Sequence, residues 1–132
     1  MTRALRRLRC LALVALALVA GCGGPADDAA DQPDLGEALL ALTQVPVGVA
    51  CLRVTVTGAT RSRIALVDLT AGANSIIPLS LLPTGEVGFD ARAFAASCSV
   101  VGPQTPWTWF AAPALVFLTP GVAAPVTMKL YR

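Results

Sequence analysis

Both tryptophans of this chain fall in the run Trp107-Thr108-Trp109-Phe110, two residues apart. In an extended strand that spacing projects both indoles from one face, where they could stack against consecutive sugar rings. Phe110 would extend the same binding surface. The competing reading is that one or both rings fill the core of a domain with few other aromatics. Thr108, facing away between them, fits either arrangement.

Catalytic chemistry has less to work with. The chain contains no histidine, so it cannot build a Ser-His-Asp or Cys-His centre, and the commonest general base is missing. Asp68, Glu86 and Asp90 are scattered rather than paired by a motif, and solvated or turn-capping roles are expected for them. A Ser-Lys pairing would have to use Lys129, the only lysine, whose flanks Met128 and Leu130 place it at an exposed strand position beside Thr127 and Tyr131. No Gly-rich loop follows a strand and opens a helix. The expectation is a protein without enzymatic activity, catalytic residues, cofactor or metal.

The elements that must carry these residues read as strands. Val49 to Thr57 alternates, with Leu52, Val54 and Val56 on one face and Cys51, Arg53, Thr55 and Thr57 on the other. Gly58-Ala59-Thr60 marks a turn, Ser62 to Leu69 a second strand, and Ser75 to Leu79 a third after Ala71-Gly72-Ala73-Asn74. In Glu86 to Ala95, Phe89, Ala91, Ala93 and Ala95 share a face opposite Asp90, Arg92 and Phe94. Further candidates are Cys98 to Val101, Trp107 to Ala111, Ala114 to Leu118 and Val122 to Tyr131. Short runs separated by Gly and Pro, without a long helical period, predict an all-β fold: one small antiparallel β-sandwich of about seven strands over residues 46–132.

Residues 22–45 differ in texture. Asp27, Asp28, Asp31, Asp34 and Glu37 lie among Gly, Pro and Ala without an aromatic residue, which predicts a flexible acidic tether. Within it, Asp34 to Leu42 offers an N-cap, an acidic first turn and an apolar run, and is read as a short helix. The alternative is an extended segment that lays Leu39, Leu40 and Leu42 against the domain.

Residues 1–21 have the parts of a secretory signal peptide: Arg3, Arg6, Arg7 and Arg9, then an apolar run from Leu11 to Val19, then small residues. The run is shorter than the roughly 20 residues that span a bilayer. Leu18-Val19-Ala20-Gly21-Cys22 closes it and resembles the lipobox of bacterial lipoprotein precursors. The resemblance implies that Cys22 becomes the first mature residue, with a thioether-linked diacylglycerol and an amide-linked acyl chain. The alternative is an ordinary signal cut nearby, leaving Cys22 a thiol. One acyl chain holds a membrane only marginally, at about 0.8 kcal/mol per buried methylene, whereas two or more hold firmly. The resemblance therefore implies a cell-envelope protein anchored through Cys22. Gly23 and Gly24 follow where an Asp at the second mature position is the usual inner-membrane retention signal, which points to the outer membrane.

Leu82-Pro83-Thr84-Gly85-Glu86-Val87-Gly88-Phe89 is similar to the signature of transthyretin-like and carboxypeptidase-regulatory-like sandwich modules, in which Leu-Pro-x-Gly leads into an alternating strand. That likeness covers one hairpin, implies the sandwich fold and names no ligand. Related adhesin modules form a Lys–Asn isopeptide bond beside an acid. Lys129, Asn74 and Glu86 supply the residue types, but in the reverse chain order, so no such bond is expected.

Cys51 and Cys98 remain once Cys10 leaves with the signal and Cys22 is acylated. Thiols of an exported domain are oxidised, and a domain this small benefits from a staple, so the two are expected to pair. Free thiols or a metal site are the rivals, though two Cys without His make a poor zinc constellation. Removing the signal also removes four of the ten basic residues, leaving a slightly acidic chain with no basic cluster suited to nucleic acid. The sequence thus predicts a lipid-anchored interaction or structural module with an envelope protein or polysaccharide as partner. The alternative is a carbohydrate-binding surface lipoprotein using Trp107 and Trp109.

Overall fold

The structure is a computed structural model and describes residues 34–132. They form eight strands and no helix: β1 (Gly36–Leu42), β2 (Cys51–Thr57), β3 (Ser62–Asp68), β4 (Ser75–Leu82), β5 (Gly85–Phe94), β6 (Trp109–Leu118), β7 (Ala123–Met128) and β8 (Leu130–Tyr131). A three-stranded sheet in the order β4-β1-β7 packs on a five-stranded sheet in the order β3-β2-β5-β6-β8. The fold is an all-β sandwich. Its pairings are antiparallel except β1 with β7, which run parallel and are joined through most of the intervening chain.

Alternation decides which side of each strand meets the other sheet. Ala38, Leu40 and Leu42 of β1 face Leu52, Val54 and Val56 of β2 and Val87, Phe89, Ala91 and Ala93 of β5 across one core, completed by Leu82, Leu118, Val126 and Met128. Phe89 has no exposed surface, and burying a side chain of that size stabilises by roughly 1.5–3 kcal/mol. Among the described residues no polar or charged residue is buried.

The helix expected over residues 34–42 is a strand. In a strand the run Gly36 to Leu42 buries alternate residues and exposes Glu37 and Leu39, and β1 has partners on both sides, so its backbone groups are paired by β4 and β7. The local capping signal is overridden by those two ladders, and the sandwich includes a strand that precedes Pro46. Cys98 to Val101, expected as a strand, is a turn.

Trp107–Ala111 and Ala114–Leu118 fuse into the single strand β6, with Pro113 placed where the register to β5 slips by one residue. A bulge on a strand that β8 covers only at Phe110 and Ala111 leaves the missing proline N–H without a ladder position to fill. Val122 to Tyr131, expected as one strand, divides at Lys129: β7 belongs to the smaller sheet and β8 to the larger. One residue carries the chain across a corner of the sandwich.

Candidate functional site

Because β2, β3, β5, β6 and β8 pair in register, their outward residues line up across the five-stranded sheet. One row crosses all five strands: Leu66, Arg53, Arg92, Phe110, Tyr131. Neighbours in such a row stand about 4.8 Å apart. Ile64, Thr55 and Asp90 form the next row. Farther along, Gly88 opposes Leu115 and Glu86 opposes Phe117. Leu115 and Phe117 are 75% and 72% exposed and Ile64 61%, so this outer face is apolar at both edges of the sheet.

At one end of the face the aromatics gather. Trp107 meets Phe110 edge-on at 5.9 Å between ring centroids, and Phe110 lies 6.2 Å from Tyr131. The guanidinium of Arg92 sits 5.7 Å from the Trp107 ring, and the Lys129 ammonium 5.7 Å from that of Tyr131. Each cation is drawn to the negative face of its ring, which orients the ring while the charge stays in water.

Trp107 reaches this position because the segment after β5 returns over the outer face. Cys98 is bonded to Cys51, whose side chain points outward from β2, with 5.0 Å between the Cα atoms. The Cys98 backbone N–H donates to Asp68 Oδ1 at 3.1 Å, and the Thr108 N–H donates to the Ala93 carbonyl at 2.9 Å. Gly102 N–H donates to Thr105 Oγ1 and tightens the turn between. Beneath this cover Phe94 and Cys51 are fully buried although they belong to the outward set, and the Arg53 guanidinium stacks 5.1 Å from the Phe94 ring. The pair forms a second, smaller packing centre outside the main core.

The expectation that Trp107 and Trp109 share a face does not hold. Trp107 precedes the first residue of β6 and joins Phe110 on the outer side, whereas Trp109 is half-buried and packs against the core. Adjacent residues of a strand point to opposite sides, so grouping Phe110 with Trp107 separates it from Trp109. Trp109 instead walls an open cleft of about 320 Å³ with Thr43, Gln44, Pro46, Lys129 and Leu130, and the Arg132 guanidinium lies 5.7 Å from its ring. Cys22 lies outside the described residues, as do the signal peptide and residues 23–33 of the tether.

The carboxylates have structural neighbours. Asp68 accepts the Cys98 N–H, Asp90 lies 3.7 Å from Arg92 Nε, and Glu86 is exposed on β5 opposite Phe117. Glu86 and Lys129 sit toward opposite ends of the sandwich, because Glu86 pairs near the end of β6 and Lys129 follows β7 beside the start of β6. Sequence reasoning missed Arg53, Arg92 and Tyr131 as members of the surface. Their alternation was visible, but their meeting depends on register across four strand pairs. No protein-family model matches the chain, and no curated protein or solved structure matches it.

Proposed function

We propose that this chain is a lipid-anchored envelope lipoprotein whose β-sandwich is a non-enzymatic interaction module presenting the outer face of its five-stranded sheet. The observation that carries the module reading is the row Leu66, Arg53, Arg92, Phe110, Tyr131, flanked by exposed Ile64, Leu115, Phe117 and Trp107. The anchor rests on Leu18 to Cys22, with the basic and apolar segments ahead of it. Acylation of Cys22 would hold the module at the membrane, and Gly23 and Gly24 favour the outer one. The segment Leu82 to Phe89, which resembles the transthyretin-like signature, is not the hairpin that likeness implies but links β4 of the smaller sheet to β5 of the larger one; the likeness is in keeping with a spacer or binding role.

A second reading, carbohydrate binding, draws on the open cleft that Trp109 lines together with Thr43, Gln44 and Lys129. A sugar needs such a pairing of apolar wall and hydrogen-bonding rim. Trp107 and Phe110 would then form a separate stacking surface.

Envelope fractionation with a pull-down on peptidoglycan and polysaccharide separates the two. Binding that Trp109→Ala removes supports the carbohydrate reading. Absence of binding with retention in the membrane fraction supports the interaction module.

A further inference from the structure

We propose that the outer face of the five-stranded sheet docks onto an anionic phospholipid bilayer, with Trp107, Phe110 and Tyr131 at headgroup depth and Arg53, Arg92 and Lys129 on the phosphates. This rests on the reading of the chain as a lipid-anchored envelope protein, but its contacts belong to the folded domain alone.

Charge and ring placement argue for this occupant. Three cations, Arg53, Arg92 and Lys129, sit at the aromatic end of the sheet, each beside a ring. The face also carries Asp68, Asp90 and Glu86. Asp68 is engaged by the Cys98 N–H, Asp90 lies near Arg92, and Glu86 is at the far end opposite Phe117. Asp68 and Asp90 thus lie at the same end as the three cations, which outnumber them there beside the tryptophan and tyrosine. Amphipathic rings flanked by long basic side chains suit the interface of a bilayer, where the ring enters the headgroup layer and the charge remains at the phosphates. Leu66, Ile64, Leu115 and Phe117 extend the apolar contact beyond the aromatic end.

The length of the tether permits it. Cys22 precedes Asp34 by twelve residues, about 40 Å when fully extended. The ten residues of β6 span about 33 Å. Gly36 begins β1 at the end of the sandwich near Leu118, opposite the aromatic end, where Phe110 pairs with Tyr131. A lipid on Cys22 and the aromatic end can thus engage one bilayer together. The second contact then forms at the high effective concentration that a short tether sets, so a face of modest intrinsic affinity is enough.

The test uses the chain from residue 22 onward with Cys22→Ser, which carries no lipid, mixed with vesicles of phosphatidylcholine alone or with about a third phosphatidylglycerol. The expected result is co-sedimentation with anionic vesicles at least tenfold above the neutral ones and weakening with salt. Trp107→Ser and Arg92→Gln should each reduce it severalfold with unchanged circular dichroism, while Ile76→Ser on the outside of the smaller sheet should leave it intact. Equal affinity for both vesicles, no binding, or equal loss with Ile76→Ser overturns the proposal. So does sedimentation as a dimer that Trp107→Ser dissociates, which would assign the face to a second copy. Because this protein lacks the acyl chains, its result is independent of whether Cys22 is acylated in the cell.

Discussion

Cys51 and Cys98, 47 positions apart in the sequence, are joined on the outer side of the five-stranded sheet, away from the main core. The bond fastens the segment that follows β5 over Phe94 instead of linking the two sheets. Its position gives one covalent feature two consequences, one for stability and one for the surface that bears Trp107.

Closing a loop of this length contributes roughly 4 kcal/mol in the chain-entropy description. Cys98→Ser should lower the unfolding free energy by about 2–5 kcal/mol, measured by urea denaturation. It should also make amides of residues 95–108 exchange faster than those of β2 and β5. Labelling of both thiols in the unreduced protein would contradict the bond.

The two tryptophans should be distinguishable in solution. Trp107 is 47% exposed, whereas Trp109 is half-buried against the core. Acrylamide should quench the emission of a Trp109→Phe protein more strongly than that of a Trp107→Phe protein, and the latter should emit at shorter wavelength. Equal quenching would place both rings in one environment and contradict the separation of their faces.

Gly58 sits where the β2–β3 hairpin passes the β4–β5 link. A Cβ there would lie 2.5 Å from Pro83 Cβ and 2.9 Å from its Cγ, and the proline ring is buried and cannot step aside. Gly58→Ala should destabilise by about 1–3 kcal/mol, lowering the thermal midpoint by several degrees. Gly88→Ala is the control, because its nearest neighbour is Leu115 Cδ2 at an ordinary 3.7 Å.

Leu81 makes the opposite case. It adopts φ 58° at the irregularity between Gly36 and Ala38 in the β1–β4 ladder, and its side chain is 53% exposed. A leucine in the left-handed region costs roughly 1–2 kcal/mol. Leu81→Gly removes that strain at the cost of a more flexible unfolded chain, and should leave the protein equally stable or more stable by up to about 1 kcal/mol, read from the denaturation midpoint.

Much of this architecture was legible from side-chain alternation. Leu52, Val54 and Val56 opposite Arg53 and Thr55, and Phe89, Ala91 and Ala93 opposite Asp90 and Arg92, fix both the all-β class and the sidedness of β2 and β5. What could not be read locally was set by distant partners. Gly36 to Leu42 carries a capping signal and an apolar run that suit a helix, yet ladders from β4 and β7 make it the central strand of a sheet. Lys129 gives no local sign that the chain changes sheets there. Trp107 and Tyr131 meet through Phe110 only because a disulfide-fastened segment and a two-residue strand converge on the start of β6. The sequence spacing of Trp107 and Trp109 suggested one binding face, but Trp107 lies ahead of the strand whose alternation would have imposed it.

The proposed function turns first on whether Cys22 is acylated. The direct measurement is the intact mass and Triton X-114 partitioning of the exported protein beside its Cys22→Ser counterpart. The expected result is a mature chain beginning at Cys22, heavier than its sequence by a diacylglycerol and an acyl chain and found in the detergent phase, with both properties lost in Cys22→Ser. An exported chain of unmodified mass in the aqueous phase, or a Cys22→Ser protein that still enters the detergent phase, would contradict it.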